Sequence, residues 1–396
     1  MEKKPLIKNK FIRISSAILL FILLIVFVLM LPVTQTYFGQ RFTKSIQDRF
    51  GASIDISSIQ VSPFGYVKLH DILAHDHKQD TLLYAGYLRL NTLRLSAILQ
   101  GDNDIGNIFL KNVIFNSTIY ENESKSNVSQ FFNRFESVES AKSKTQIVAS
   151  SISMVDASIT IQNKNKFKGR AQRFTSLNAD IKNFRIDGDI ISADVRQLNS
   201  QTNYYDTELT SLAGKYQFSP TNMILENAVI QTKESVIDAD IKLTYPKGGL
   251  NDFVGKVNLD VNLNSSTMGS SDLKKIIPKW KGKFVELKGN IDGLVNDFTT
   301  QKFNISHHTT TIDFDGNIKN ILNVDTRSIE LDLKLATTNN PLFIPFTLST
   351  ELAGFLKRLG NLSTDSKLTF KDKMWNIKAD LTTALGRMQS SASFNL

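Results

Sequence analysis

The chain has 396 residues, a net charge of +9 and no cysteine. Without cysteine there is no disulfide framework and no thiol chemistry. Much of the positive excess sits at the extreme N-terminus, and the remaining Lys and Arg alternate with Asp and Glu as on a solvated face, so the charge does not point to nucleic acid.

Residues 1–13 carry Lys3, Lys4, Lys8, Lys10 and Arg13, and from Ala17 to Val33 no charged residue occurs. The apolar segment 14–33, which includes Ile18, Leu20, Leu24, Val28 and Leu31, is about 20 residues long. At ~1.5 Å per residue it makes a helix of ~30 Å, the thickness of a bilayer's hydrocarbon core. A cleaved signal peptide would have a shorter apolar core and a small-x-small site, and Pro32-Val33-Thr34-Gln35-Thr36 offers none. The expectation is a single-pass anchor with a cytoplasmic N-terminus and the bulk of the chain across the membrane. In residues 34–50, Phe38, Phe42, Ile46 and Phe50 form one helical stripe opposed by Gln40, Lys44, Gln47 and Asp48, ahead of Gly51. This predicts an amphipathic helix that plugs the end of a β core or, as the second reading, lies at the membrane surface.

From residue 51 to 396 the period changes to two. Ile54-Asp55-Ile56, Val67 and Leu69, Leu88 to Leu95 and Phe109 to Tyr120 read as strands, with a turn at Phe64-Gly65 and a bulge at Asn91-Thr92. Val128, Phe131, Phe132, Phe135 and Val138 are spaced as a short helix capped by Asn127, and Glu139 to Gln146 reads as loop. Ile237, Ala239, Ile241 and Leu243 then share one face, as do Val257, Leu259, Val261 and Leu263. Ile329, Leu331, Leu333 and Leu335 follow, and Ile377, Ala379 and Leu381 after them, each set alternating with charged or polar residues. Such strands have one wet and one apolar face, which predicts a mainly β protein built on an antiparallel sheet. Short helices at Ser271–Trp280 and Ser349–Leu359 are too small to cover it. The apolar face must meet another sheet, fold on itself or hold something other than protein.

No nucleophile elbow or phosphate loop occurs, and the chain does not read as an enzyme. His70, His75 and His77 with Asp71, Asp76 and Asp80 have metal-ligating chemistry, but they fall where a strand ends in a charged turn and read as solvated side chains. His307-His308 reads as the start of a Thr-rich strand, and Asp102-Asn103-Asp104 as a turn rather than a calcium loop. The stretch Lys274 to Lys283 allows contact with anionic headgroups, though a solvated helix end accounts for it as well. No metal and no cofactor are expected.

The segment from Gly51 to Asn91 carries a resemblance. Its Ile54-Asp55-Ile56 strand, the aromatic-Gly turn Phe64-Gly65, the acidic turn running into Asp80-Thr81-Leu82-Leu83-Tyr84-Ala85 and the strand Leu88 to Leu95 are similar to the start of TamB-type proteins of the AsmA-like superfamily of bridge-like lipid-transfer proteins, in their Bacteroidetes versions. Leu110-Lys111-Asn112-Val113, the helix from Asn127, Asp272-Leu273 with Ile277-Pro278, and Gly289-Asn290-Ile291 with Gly293-Leu294 extend the likeness. TamB-like chains are several times longer, so the likeness is to an N-terminal portion.

The resemblance implies a β-taco: an elongated, curved antiparallel sheet whose concave face is an apolar groove, lined here by the four sets of apolar residues named above. It implies residence in a bacterial inner membrane with the bulk in the periplasm, and movement of phospholipids towards the outer membrane. The alternative it implies is a translocation and assembly module subunit that helps insert outer-membrane β-barrel proteins with an Omp85-type, TamA-like barrel partner. A third reading is a passive tether packed as an ordinary sandwich.

Overall fold

A computed structural model of the chain describes residues 54–62, 66–91, 103–136, 146–165, 171–203, 207–277, 280, 282–323, 325–337 and 358–395, with Leu31, Thr34, Tyr37 and Lys44 before them. The membrane anchor expected over 14–33 lies outside these residues apart from Leu31. Of the helix expected over 34–50, only Thr34, Tyr37 and Lys44 are described, all three helical. No helix among the described residues is long and apolar enough to cross a membrane. The helix expected at 349–359 and the bulge expected at Asn91-Thr92 also fall largely outside them.

Strands dominate. In order they are β1 (Ile54–Ser62), β2 (Tyr66–His75), β3 (Thr81–Asn91), β4 (Asp104–Ile119), β5 (Gln146–Asn163) and β6 (Gln172–Asp187). Next come β7 (Ile190–Thr202), β8 (Thr207–Phe218), β9 (Asn222–Thr232), β10 (Val236–Thr244), β11 (Asn258–Gly269) and β12 (Phe284–Leu294). The last are β13 (Asp297–His307), β14 (Thr310–Lys319), β15 (Ser328–Thr337), β16 (Leu362–Lys371), β17 (Met374–Thr383) and β18 (Gly386–Asn395). Three short helices interrupt them: α1 (Asn127–Glu136), α2 (Phe253–Lys256) and α3 (Ser270–Ile276). The chain divides into two compact units, one of Met1–Arg185 with Ser200–Tyr204 and one of Ile186–Asn199 with Tyr205–Leu396.

In the first unit β1, β2, β3 and β4 pair antiparallel in sequence, but β4 and β5 run parallel, with Leu110 beside Met154 and Phe115 beside Ile159. This corrects the expectation of a wholly antiparallel sheet. Alternation reports which face is wet and carries no information on strand direction. The segment after β4, with α1 inside it, is long enough to return the chain to its starting end, as a parallel pair requires. A phase skip also crosses this unit in register. Asp71, Asn112 and Asp156 sit mid-strand in the left-handed region (φ 48, 54 and 56), and the pairing brings Ser57, Asp71, Gly86, Asn112 and Asp156 into one row. A Cβ on Gly86 would stand 3.2 Å from the Asn112 Cβ, a tight contact that the glycine relieves. Apolar positions therefore run Val67, Leu69, Ile72 and Ala74 along β2, three apart where the skip falls, and Ile59, Val67, Leu69 and Leu90 form a buried cluster on that face.

The second unit holds an antiparallel meander from β8 to β18. From β14 to β18 the ladder is regular. The β16–β17 turn is a two-residue loop, Asp372 and Lys373, both at positive φ, the geometry whose twist suits a hairpin. Earlier strands are bulged: β9 carries one extra residue at Asn227 and β13 one at Lys302, relative to both neighbours in each case. His307 ends β13 and His308 (φ 51) opens the turn, so this pair does not begin a strand as the sequence suggested.

Candidate functional site

Directly opposed residues in an antiparallel ladder point to the same side, so the register shows what each face carries. Leu243, Leu259 and Gly293 form one row, and Ile241, Val261, Ile291 and Thr300 the next. Further along, Ile312, Leu335, Thr364, Leu381 and Met388 form a row, with Phe314, Leu333, Ser366, Ala379 and Ser390 beside it. Next are Gly316, Leu331, Leu368, Ile377 and Ala392, then Ile318, Ile329, Phe370, Trp375 and Phe394. Of the expected apolar positions, those in β10, β11, β15 and β17 fall in rows on one side of their ladders, with β12, β13, β14 and β16 between them, while Val257 lies outside the strands.

The accessibility of that face is its distinctive property. Ile329, Leu331, Leu333 and Leu335 are half-buried, while Glu330, Asp332 and Lys334 between them are exposed. Ile377, Ala379 and Leu381 behave likewise against exposed Lys378 and Asp380. A residue sealed between two layers would be fully buried, and these are not. Two of the expected positions depart from the rest. Ala239 and Val257 are both 0 % exposed, and Val257 lies in the connection before β11 rather than in the strand. Both are packing residues and not part of the accessible surface.

Polar groups on this face are few. Thr364 Oγ1 and Ser366 Oγ share a hydrogen bond at 2.5 Å, which satisfies both within the face. Thr300 Oγ1 is buried without a partner. It stands beside Gly316, where a Cβ would come within 2.7 Å of Leu331 Cδ2 and 2.8 Å of Thr300 Oγ1. Leu331 thus folds over the bare backbone of its neighbour. Sequence alone did not identify Phe303, Phe314, Leu368 or Met388 as members of the face; the register places them there.

One end of the face is plugged. Leu273, Trp280 and Val285 form a buried cluster with Met268, Ile277, Leu287 and Ile305 packed against it. Asp272 anchors α3 by accepting hydrogen bonds from Thr232 Oγ1 (2.5 Å), Ser235 Oγ (2.6 Å) and Lys275 Nζ (3.0 Å). Burial pushes its carboxyl up, but Ser235, Thr232 and Lys275 outweigh that and hold it below the ordinary aspartate range. Within the Lys274–Lys283 stretch, Trp280 is buried (5 % exposed) and Lys275 is ion-paired with Asp272.

The histidine-rich segment of the first unit is a structural staple. Asp76, 1 % exposed, closes the β2–β3 turn by accepting from the backbone N–H of Lys78 (2.8 Å) and Asp80 (3.0 Å) on Oδ1. Its Oδ2 accepts from Tyr120 Oη (2.7 Å) and Asn127 Nδ2 (2.9 Å). Burial opposes the charge, and these four bonds together still hold the carboxyl below the ordinary range. The Tyr120 hydroxyl, desolvated and aimed at both Asp76 and Asp80 (2.7 Å each), is pushed far up and stays a donor. His77 Nε2 lies 2.9 Å from Glu123 Oε1, and Gln130 Nε2 donates to Glu123 Oε2 at 2.7 Å. Asp71 belongs instead to the phase skip, where it accepts from Ser57 Oγ (3.0 Å) and Tyr84 Oη (2.7 Å). Among the described residues no group of three His, Asp or Glu side chains is placed to hold a metal ion.

Asn127 does not cap α1. Ser126 takes that part, accepting from the Ser129 N–H at 3.2 Å. Asn127 Oδ1 accepts from the N–H of Thr118 (2.8 Å) and Val128 (2.9 Å), tying the helix start to β4. Phe131 and Val128 then pack on Ala74, Leu82, Ile54 and Leu83, so α1 covers one end of the apolar face in its own unit.

No protein-family model matches the chain, and comparison with curated proteins returns no match.

Proposed function

We propose that this chain is a membrane-anchored lipid-transfer protein that carries phospholipid acyl chains along the apolar face of its β8–β18 meander, from a bacterial inner membrane through the periplasm towards the outer membrane. The observation that carries the reading is the half-buried state of Leu331, Leu333, Leu335, Ile377 and Leu381. A row of branched aliphatics that no second layer of the described residues seals is stable in water only at a cost of ~25 cal/mol per Å² of exposed apolar surface. An acyl chain laid on it removes that cost and gives up its own contact with water. Hydrocarbon on Leu and Ile makes no directional bonds, so a chain can slide from one row to the next. Beside it, the face offers among the described residues only hydroxyls that bond each other or stand alone, so a charged headgroup stays in water, where it avoids a burial cost of several kcal/mol. The sequence resemblance to TamB-type proteins and the apolar run at 14–33 point the same way, to a tethered bridge acting between membranes.

The reading is tested by purifying the full chain from membranes in mild detergent and measuring co-purified phospholipid by mass spectrometry. Leu331→Glu together with Ile377→Glu should lose most of the bound lipid while the β-sheet circular dichroism is unchanged. Equal lipid on the parent and the double variant would overturn it.

A further inference from the structure

In the first unit, the face opposite the buried cluster of Val67 and Leu69 carries cations that the fold leaves unneutralised. Lys68 in β2 stands directly across from Arg89 in β3, and their row runs on from Gln60 in β1 to Phe109 in β4 and Ser153 in β5. The next row on that face holds Ser58, His70, Tyr87, Lys111 and Val155. Neither row contains a carboxylate, and among the described residues Lys68, Arg89 and Lys111 make no ion pair. Asp71 and Asp156 follow in the phase skip, but both oxygens of Asp71 already accept hydrogen bonds, one from Ser57 and one from Tyr84. Like charges directly opposed across a ladder weaken it, so the Lys68–Arg89 pair costs the sheet stability as it stands.

Aromatic rings hold the pair in place. The Arg89 guanidinium lies 5.4 Å from the centre of the Tyr66 ring and 5.3 Å from that of Phe109. Phe109 meets Tyr87 edge-on at 5.9 Å, and Tyr87 meets His70 in the same way at 5.3 Å. A guanidinium held by ring faces keeps its N–H groups for an anion. We propose that this face of β2, β3 and β4 docks on anionic phospholipid headgroups at the surface of a bilayer. Phosphate groups at Lys68 and Arg89 cancel the opposition of like charge that the ladder carries, and Lys111 extends the site by one row. Tyr66, 44 % exposed, adds an amphipathic ring of the kind that sits at headgroup depth. These groups lie side by side on a sheet rather than around a cleft, which suits an extended charged surface better than a small soluble anion. The anchor expected over 14–33 would keep the chain beside such a surface. The contact is independent of whether the meander carries lipid.

The chain has no cysteine, so one introduced thiol reports this face alone. Gln60 is exposed and directly opposite Lys68. The full chain carrying Gln60→Cys, reconstituted in nanodiscs, is treated with a polyethylene-glycol maleimide too bulky to enter a membrane contact. Labelling should be roughly fivefold or more slower on discs containing phosphatidylglycerol than on discs of phosphatidylcholine alone, the scale of one Lys or Arg at an anionic surface. Adding Lys68→Gln and Arg89→Gln should abolish that difference. Lys68→Gln by itself should raise the thermal midpoint, because it removes the opposed charge, so loss of docking is separated from loss of folding. Equal labelling rates on the two kinds of disc, or slowing that persists in the triple variant, would overturn the proposal. The same slowing on neutral discs with inorganic phosphate added would also overturn it, by assigning the cations to a small soluble anion.

Discussion

The backbone N–H of Lys302 lies 2.6 Å from Asp315 Oδ1 on the next strand. Lys302 is the extra residue of β13 and sits at φ 50, a conformation that disfavours a side chain by ~1–2 kcal/mol. The bulge takes its N–H out of the ladder, and the carboxylate of Asp315 receives it. On the other flank is Gly289 (φ +136), where a Cβ would stand 2.6 Å from Phe303 Cα. The same arrangement recurs in Gly214, Asn227 and Asp240, with Asn227 N–H 2.8 Å from Asp240 Oδ1. The two triplets fall at the same sequence intervals. In both of these bulges a glycine flanks the extra residue on one side and an aspartate receives its N–H on the other.

Asp315→Ala should therefore destabilise the meander by about 1 kcal/mol, the scale of one exposed hydrogen bond. Lys302→Gly should be neutral or stabilising by up to about 1 kcal/mol, since relief of the left-handed strain exceeds the entropic penalty of glycine. Amide hydrogen exchange at Lys302 and Phe303 reads both: faster in the first variant, unchanged or slower in the second.

Glycine positions separate in the same way. Gly289→Ala drives a methyl into the Phe303 backbone and should cost ~2 kcal/mol or more. Gly248→Ala meets nothing within 4 Å and faces only its φ of +77, so it should cost ~1 kcal/mol. Urea unfolding followed by tryptophan fluorescence distinguishes them.

The Asp76 staple sets an acid limit on the first unit. Its carboxyl is held below the ordinary aspartate range in the folded chain, so its contribution is fully present above about pH 4, the unfolded value, and is lost as pH falls through the lower folded value. Asp76→Asn should remove that acid dependence and lower stability at neutral pH. Tyr120→Phe should cost about 1–2 kcal/mol, because two carboxylates lose a donor. Thermal melts between about pH 3 and 7 provide the measurement.

At the start of α1, Ser126→Ala should cost about 0.5–1 kcal/mol as a lost cap. Asn127→Ala should cost more, about 2–3 kcal/mol, since it strands the buried N–H of Thr118 and one bond to Asp76. Reading Asn127 as the cap predicts the reverse order, so circular dichroism melts of the two variants decide it.

How much of this was legible in the sequence depends on the strand. In β10, β15 and β17 the period of two is unbroken, and the alternation expected there matches the register. In β13 the apolar positions run Phe298, Thr300, Phe303 and Ile305, and the extra residue at Lys302 throws the pattern out of phase, so that strand was missed. The skip along Asp71, Asn112 and Asp156 does the same in the first unit. The parallel β4–β5 pair was invisible because alternation is blind to direction. The turn residues Asp76 and Asp80 read as solvated because nothing local reveals that Tyr120 and Asn127 come back to meet them.

The most direct test of the account is photo-crosslinking in native membranes, with the probe first at Leu331 and then at Asp332. The account predicts capture of phospholipid at Leu331 and little at Asp332, which the register sets on the opposite face. Capture of protein alone at Leu331, with no lipid at either position, would contradict it.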